Sequence, residues 1–314
     1  MTQQHEETMT REPDVETYRR QPLAEDVGAV GETDVTSLSS GGSRRAASLW
    51  PAVLFLATLV TTTWAGALHQ GVNLLVEPAR WMLGVPYALA LVGILGIHEL
   101  GHYLVARRRG VDVTLPYFIP APVFLGTFGA FIRMRSAARD RATTFDIAVA
   151  GPLAGLAAAL VALAVGLRGE AVVVHGGTTP ASSFLFGAIY TLVTGASPQE
   201  AVQLGALAFA GWIGLVVTAL NLAPVGQLDG GHIAYALLGR RRAALLGQSV
   251  IALMVAAGLL YSRHWLMWAF IAWAFAGTGH PPAQHEEPGL GRGRAALAVA
   301  SFVLLLAIVL PWPG

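Results

Sequence analysis

The sequence predicts an α-helical membrane protein with about six to seven transmembrane helices and a small membrane-associated β-hairpin between the second and third spans. Two observations carry the helical part. Only 12% of the 314 residues are charged, against about one quarter in soluble domains. Several uncharged apolar runs also approach the ~20 residues that cross a bilayer. The third observation is a break in that pattern: residues 111–135 alternate in polarity and are rich in proline, which fits extended strands and not a spanning helix. There is no cysteine, so disulfides and thiolate metal sites are excluded. The net charge of +1 selects no partner, and no nucleic acid is expected.

Taken in order, residues 1–47 hold nine of the nineteen acids and five arginines, with no apolar core before Ala46. They read as a disordered cytoplasmic tail and not as a signal peptide. The first span is 48–68. The second, 82–106, is uncharged from Met82 to Ile97 and ends in Arg107-Arg108-Arg109. In the hairpin region Val111-Asp112-Val113-Thr114-Leu115 alternates, prolines stand at 116, 120 and 122, and Gly126–Arg135 alternates again. The third span, 144–167, has Asp146 near its start and contains Gly151-Pro152-Leu153-Ala154-Gly155. Small residues there permit close helix approach, and Pro152 kinks or starts a helix. Residues 169–200 are Gly- and Thr-rich, with a short apolar piece at 184–194 that dips into the interface. The fourth span, 203–223, runs into Asn221-Leu222-Ala223-Pro224-Val225-Gly226-Gln227-Leu228-Asp229-Gly230-Gly231-His232. Apolar runs at 243–261, 264–277 and 295–311 follow, with a polar loop at 278–294.

Arginine orients these spans, since there is no lysine. Arg44, Arg45, the 107–109 cluster, Arg133, Arg135, Arg139, Arg141, the 240–242 cluster, Arg292 and Arg294 fall on one side. Only Arg80, Arg168 and Arg263 fall on the other. The positive-inside rule then gives a multi-pass protein of the cell membrane with a cytoplasmic N-terminus. Residues near 100 and near 229 come to the same depth, toward the cytoplasmic side.

His98 and His102 are four apart, so on a helix both imidazoles leave one face. Glu99 sits beside them. Two imidazoles ligate Zn²⁺ while the glutamate takes a proton from metal-bound water. Ionisable groups in a span are costly, which weighs against a merely structural pair. A zinc site needs a third ligand and an open position for water. Of the ten acids outside the tail, only Glu99 and Asp229 sit at a matching depth facing a bundle interior, so Asp229 is the candidate third ligand. Its other reading is a helix cap within an Asp-Gly-Gly turn. Pro224 breaks the fourth span and frees backbone near the metal. Asn221, one turn earlier, offers an amide to a developing oxyanion or makes an interhelical hydrogen bond.

His98-Glu99-Leu100-Gly101-His102, Gly151-Pro152-Leu153-Ala154-Gly155 and Asn221-x-x-Pro224-x-x-x-x-Asp229-Gly230 resemble the three motifs of the site-2 protease family of intramembrane zinc metalloproteases. The resemblance covers roughly 50–280 in order. It implies one Zn²⁺ per chain held by His98, His102 and Asp229, Glu99 as general acid/base, and cleavage of a partly unwound transmembrane helix of a membrane-protein substrate. It also implies a core over 48–277, followed over 278–314 by a cytoplasmic loop and a C-terminal transmembrane helix. Gly126–Ala130 and His280-Pro281-Pro282 resemble members without a PDZ domain. An edge strand within 111–135 holds an extended substrate by strand addition, or the hairpin only covers the site. Two other classes remain: a metal transporter, for which the halves show no inverted repeat, and an inactive scaffold, in which Glu99 would have no use.

Overall fold

The structure, a computed structural model, describes residues 49–169, 172–173, 183–196, 202–276 and 289–311. The tail 1–47, most of the polar loop and His280-Pro281-Pro282 lie outside the described residues.

Helix α1 (Trp50–His69) and helix α2 (Val85–Arg108) both carry proline in the first turn, where its missing N–H costs nothing. A 3-10 segment, Pro78–Gly84, joins them. Helix α2 ends on Arg107 and Arg108, cations that suit the negative end of the helix dipole. Strands β1 (Tyr117–Pro120) and β2 (Thr127–Phe131) follow, then helix α3 (Arg141–Gly169). Asp140 caps α3, accepting the Thr143 N–H at 2.7 Å. That amide and the Thr143 hydroxyl hold the Asp140 carboxyl below the usual carboxylate range. A second strand pair, β3 (Val172–Val173) with β4 (Val202–Gln203), flanks α4 (Phe184–Thr194). Helices α5 (Ala206–Leu222), α6 (Asp229–Leu238), α7 (Arg240–Leu260), α8 (His264–Ala276) and α9 (Arg292–Val309) complete the described chain.

The core is a three-helix stack in which α3 packs on both α2 and α5. Ile94, Leu156, Ala159, Leu163 and Leu215 are buried in one cluster, and Tyr87, Leu91 and Ile213 in a second. Small residues set the spacing. A Cβ at Gly101 of α2 would lie 2.6 Å from the Ala150 carbonyl oxygen of α3, so only glycine permits this contact.

The hairpin predicted for 111–135 is antiparallel, with Tyr117 opposite Phe131 and Phe118 opposite Ala130. A bridge between Val113 and Met134 extends it. Its tip is tied to helices: the Thr61 hydroxyl donates to the Gly126 carbonyl at 2.6 Å, and the Tyr87 hydroxyl to the Leu125 carbonyl at 3.1 Å. Gly126 has φ +83°, and a Cβ there would lie 2.5 Å from Thr62 Cα. Thr61 is midway along α1 and Tyr87 begins α2, so the hairpin tip lies toward the end of α2 remote from its arginines. Irregular backbone at membrane depth survives only against protein or a wet cavity. Here protein hydroxyls bond two carbonyls of the tip, Leu125 and Gly126.

Among the described residues, five helices are long and apolar enough to cross a membrane: α1, α2 with its 3-10 lead-in, α3, α7 and α9. The fourth and sixth runs form shorter apolar helices, α5 with 17 residues and α8 with 13. Helix α5 stops because Pro224 cannot donate to the Leu220 carbonyl and clashes with it. The chain then turns through Val225 N–H to Ala223 O at 2.7 Å and Leu228 N–H to Val225 O at 3.2 Å. Asp229 consequently opens α6 and does not end the fourth span. The run at 184–194 is α4, capped by the Ser183 hydroxyl. The Phe184 N–H bonds the Leu310 carbonyl at 2.8 Å, which fixes α4 to the end of α9. Pro152, expected to kink or start a helix, lies inside α3.

Candidate metal centre

His98 and His102 stand one turn apart on α2, and both are buried. Their Nε2 atoms are 3.1 Å apart. The Asp229 Oδ2 lies 3.3 Å from each of them. These three atoms form a nearly equilateral triangle. A tetrahedral zinc with bonds of about 2.0–2.1 Å has ligand–ligand edges of about 3.3–3.4 Å, so the triangle fits one face of that tetrahedron. Among the described residues this is the one group of three such donors placed to hold a metal ion.

The supports of each donor are visible. The Ile147 carbonyl of α3 lies 2.8 Å from His102 Nδ1. Nδ1 therefore carries the proton and Nε2 keeps its lone pair for a metal. Asp229 is the first residue of α6, while the cap position is Leu228 and receives no side-chain bond. The carboxylate is thus aimed at the histidines and does not cap its helix. The positive end of the α6 dipole still favours its charge. Asn221 Nδ2 is 3.4 Å from His98 Nε2. One placement makes Asn221 both an interhelical neighbour and a donor at the edge of the centre.

Glu99 is 7% exposed and lies outside the donor triangle. Glu99 faces a cavity of about 490 Å³. Ala130, Phe131 and Ile132 line one side of this cavity, with Asn221, Gln227 and His232 on another. His232 was not singled out in the sequence. Its spacing of three from Asp229 on one helix is the signal that placed it there.

The Gly-Pro-Leu-Ala-Gly run does more than let helices approach. A Cβ at Gly151 would lie 2.0 Å from His102 Nε2, and one at Gly155 would lie 2.9 Å from His98 Nδ1. The two glycines vacate the space that the two imidazoles fill. Pro152 also removes the i+4 N–H that would bond the Ala148 carbonyl, and Ala148 lines the cavity. Gly151→Ala is therefore expected to displace the His102 ring and to lower bound metal to well under one per chain. Ala154→Ser, one helical turn away and outside the donor contacts, should keep it. Elemental analysis of the two purified variants checks this, and full metal occupancy in Gly151→Ala would contradict the packing argument.

Comparison with known proteins follows the same residues. Residues 86–262, more than half of the chain, match Peptidase family M50. The chain is 33% identical over 237 residues to the Arabidopsis thaliana protein named "Probable zinc metalloprotease EGY2, chloroplastic", covering 73% of this chain and 42% of that protein. It is 34% identical over 236 residues to "Probable zinc metalloprotease EGY1, chloroplastic" of the same plant, covering 72% and 43%. The EGY1 protein of Oryza sativa subsp. japonica is 33% identical over 241 residues, covering 73% and 41%. The chain spans less than half the length of these curated relatives. The match runs through the histidine pair, the glycine run and the Asp229 turn together, and on it this chain belongs to Peptidase family M50.

Proposed function

We propose that this chain is an intramembrane zinc metalloendopeptidase that hydrolyses a peptide bond in or near a transmembrane helix of a membrane-protein substrate. The observation that carries this reading is the donor triangle of His98, His102 and Asp229 with Glu99 beside it and not in it. Zinc, when bound, supplies Lewis acidity and a water of lowered pKa at its open position. Glu99 takes the proton of the attacking water and returns it to the leaving amine. Asn221 donates its amide to the oxyanion that develops on the scissile carbonyl. The Ile147 carbonyl keeps the His102 ring in one tautomer throughout.

The strand beside the cavity supports a mode of substrate capture. Arg133 bonds Thr114 through both its N–H and its carbonyl, so odd positions of this strand face β1. Even positions, Ile132 among them, face away. By the two-residue period the Ala130 N–H faces the same side, on an edge without a strand partner among the described residues. An unwound substrate segment pairs there through its backbone, which demands little of its side chains. The arginines at the end of α2 and the start of α7 favour a cytoplasmic site and a cytoplasmic N-terminus. The identity of His98 and His102 as ligands of a transported ion gains nothing from the geometry, because a transport site has no need of Glu99 outside the ligand set.

Glu99→Gln is expected to keep about one zinc per chain while cleavage of a single-span membrane peptide falls by about 10²-fold or more. Loss of zinc in that variant would make Glu99 a ligand, and undiminished cleavage would remove it from the chemistry. Ala130→Pro removes one N–H from the outer edge and leaves the β1 ladder intact. It is expected to lower cleavage severalfold at unchanged zinc content. Equal activity in the folded, zinc-loaded variant would mean that the hairpin covers the site and the substrate is held elsewhere.

A further inference from the structure

Helix α9 lies beyond the residues that match the family, yet it packs on the two elements that support the donor triangle. Ala298 of α9 shares one buried cluster with Phe145, Ala148 and Val149 of α3 and with Ile233 and Ala236 of α6. Arg294 is the third residue of α9, where a cation opposes the helix dipole. Helix stability therefore does not account for it. Its guanidinium instead grips Asp146 of α3 at two points, Nε to Oδ1 at 2.7 Å and Nη2 to Oδ2 at 3.0 Å. Arg109, just past α2, donates to the same Oδ2. The Asp146 side chain is 16% exposed, so three N–H donors from two arginines hold a largely sequestered carboxylate. One peptide bond later, the Ile147 carbonyl accepts the His102 Nδ1 proton.

We propose that Arg294 and Asp146 are positioning residues for the metal centre. Their fork fixes the first turns of α3 so that the Ile147 carbonyl keeps His102 Nε2 aimed at the ion. Neither residue touches a reacting atom, and the inference rests on the reading of His98, His102 and Asp229 as a zinc site. A two-point guanidinium–carboxylate contact sets an angle as well as a distance. A lysine at 294 keeps the charge but loses that angle. The arrangement makes α9 part of the machinery of the site although it contributes no ligand.

The test is metal affinity in the purified full-length protein, read by Co²⁺ titration of the visible d–d absorption and by competition with a zinc chelator. Arg294→Lys and Asp146→Asn are each expected to weaken binding by about 10-fold or more, as loss of outer-shell support does, and to shift the d–d bands. The double variant should bind no more weakly than the worse single one, because both changes break one contact. Ser301→Ala alters a buried hydroxyl of α9 that bonds only its own helix, to the Leu297 carbonyl at 2.9 Å. Its metal affinity should match that of the unaltered protein. Unchanged affinity in the two single variants, additive losses in the double, or an equal loss in Ser301→Ala would overturn the proposal. Should Arg294→Lys not fold, Asp146→Asn carries the same test. Failure of the unaltered protein to bind Co²⁺ or Zn²⁺ would strike the zinc reading itself, whereas normal binding with indifferent variants strikes only the positioning role.

Discussion

Two imidazoles of α2 occupy space that α3 leaves open by having glycine at 151 and 155. Everything else about the centre depends on that fit. It brings α2 and α3 to a spacing that Gly101 against Ala150 then shares. It places the Ile147 carbonyl where it can fix the His102 tautomer. It also buries both rings, so their Nε2 atoms converge on a common point with little rotamer freedom. A side chain larger than glycine would have to push a ring out of a close-packed interior, where small volume changes are felt.

The remaining parts of the centre use backbone that is not helical. Between Leu222 and Asp229 the chain unwinds at Pro224 and restarts as α6, which presents the Asp229 carboxylate from a helix N-terminus. The β1–β2 hairpin reaches from the arginine end of α2 to Tyr87 and places Ile132 with Glu99 on the wall of the cavity. Such segments are admissible at membrane depth only if their polar groups find protein or water. Thr61 and Tyr87 supply protein donors at the tip, and the cavity beside Glu99 supplies room for water at the other end. The irregular backbone beside the centre is thus held by a few hydroxyl contacts. The Arg294–Asp146 fork stiffens the one helical segment, the start of α3, on which the histidine side depends.

Much of this was legible in the sequence because it is encoded locally. The 82–106 run, its arginine end and the i,i+4 histidine pair all report on one helix and its faces. The prolines and alternation of 111–135 report on extended backbone, and both strands fall within it. Asp229 was reachable by depth alone, since few acids remain outside the loops. What escaped is the identity of partners across elements. Periodicity shows that Gly151 and Gly155 are small but not that imidazoles fill the gap. It shows Asp146 near the start of a span but not the arginine 148 positions later that grips it. Helix ends also depend on local turns: Pro224 marks a break, and the bonds from Val225 N–H to Ala223 O and from Leu228 N–H to Val225 O carry the chain to Asp229, where α6 begins. Helix α5, 206–222, is shorter than its apolar run, 203–223, because hydropathy counts residues and not where the backbone turns.

His98, His102 and Asp229 are proposed to hold one zinc and to leave one position open. X-ray absorption at the zinc edge of the purified, metal-loaded protein checks this without recourse to activity. Four light-atom neighbours at about 2.0–2.1 Å are expected, with outer-shell scattering from two imidazoles and not more. A first shell of six oxygens, or a spectrum without imidazole scattering, would contradict it.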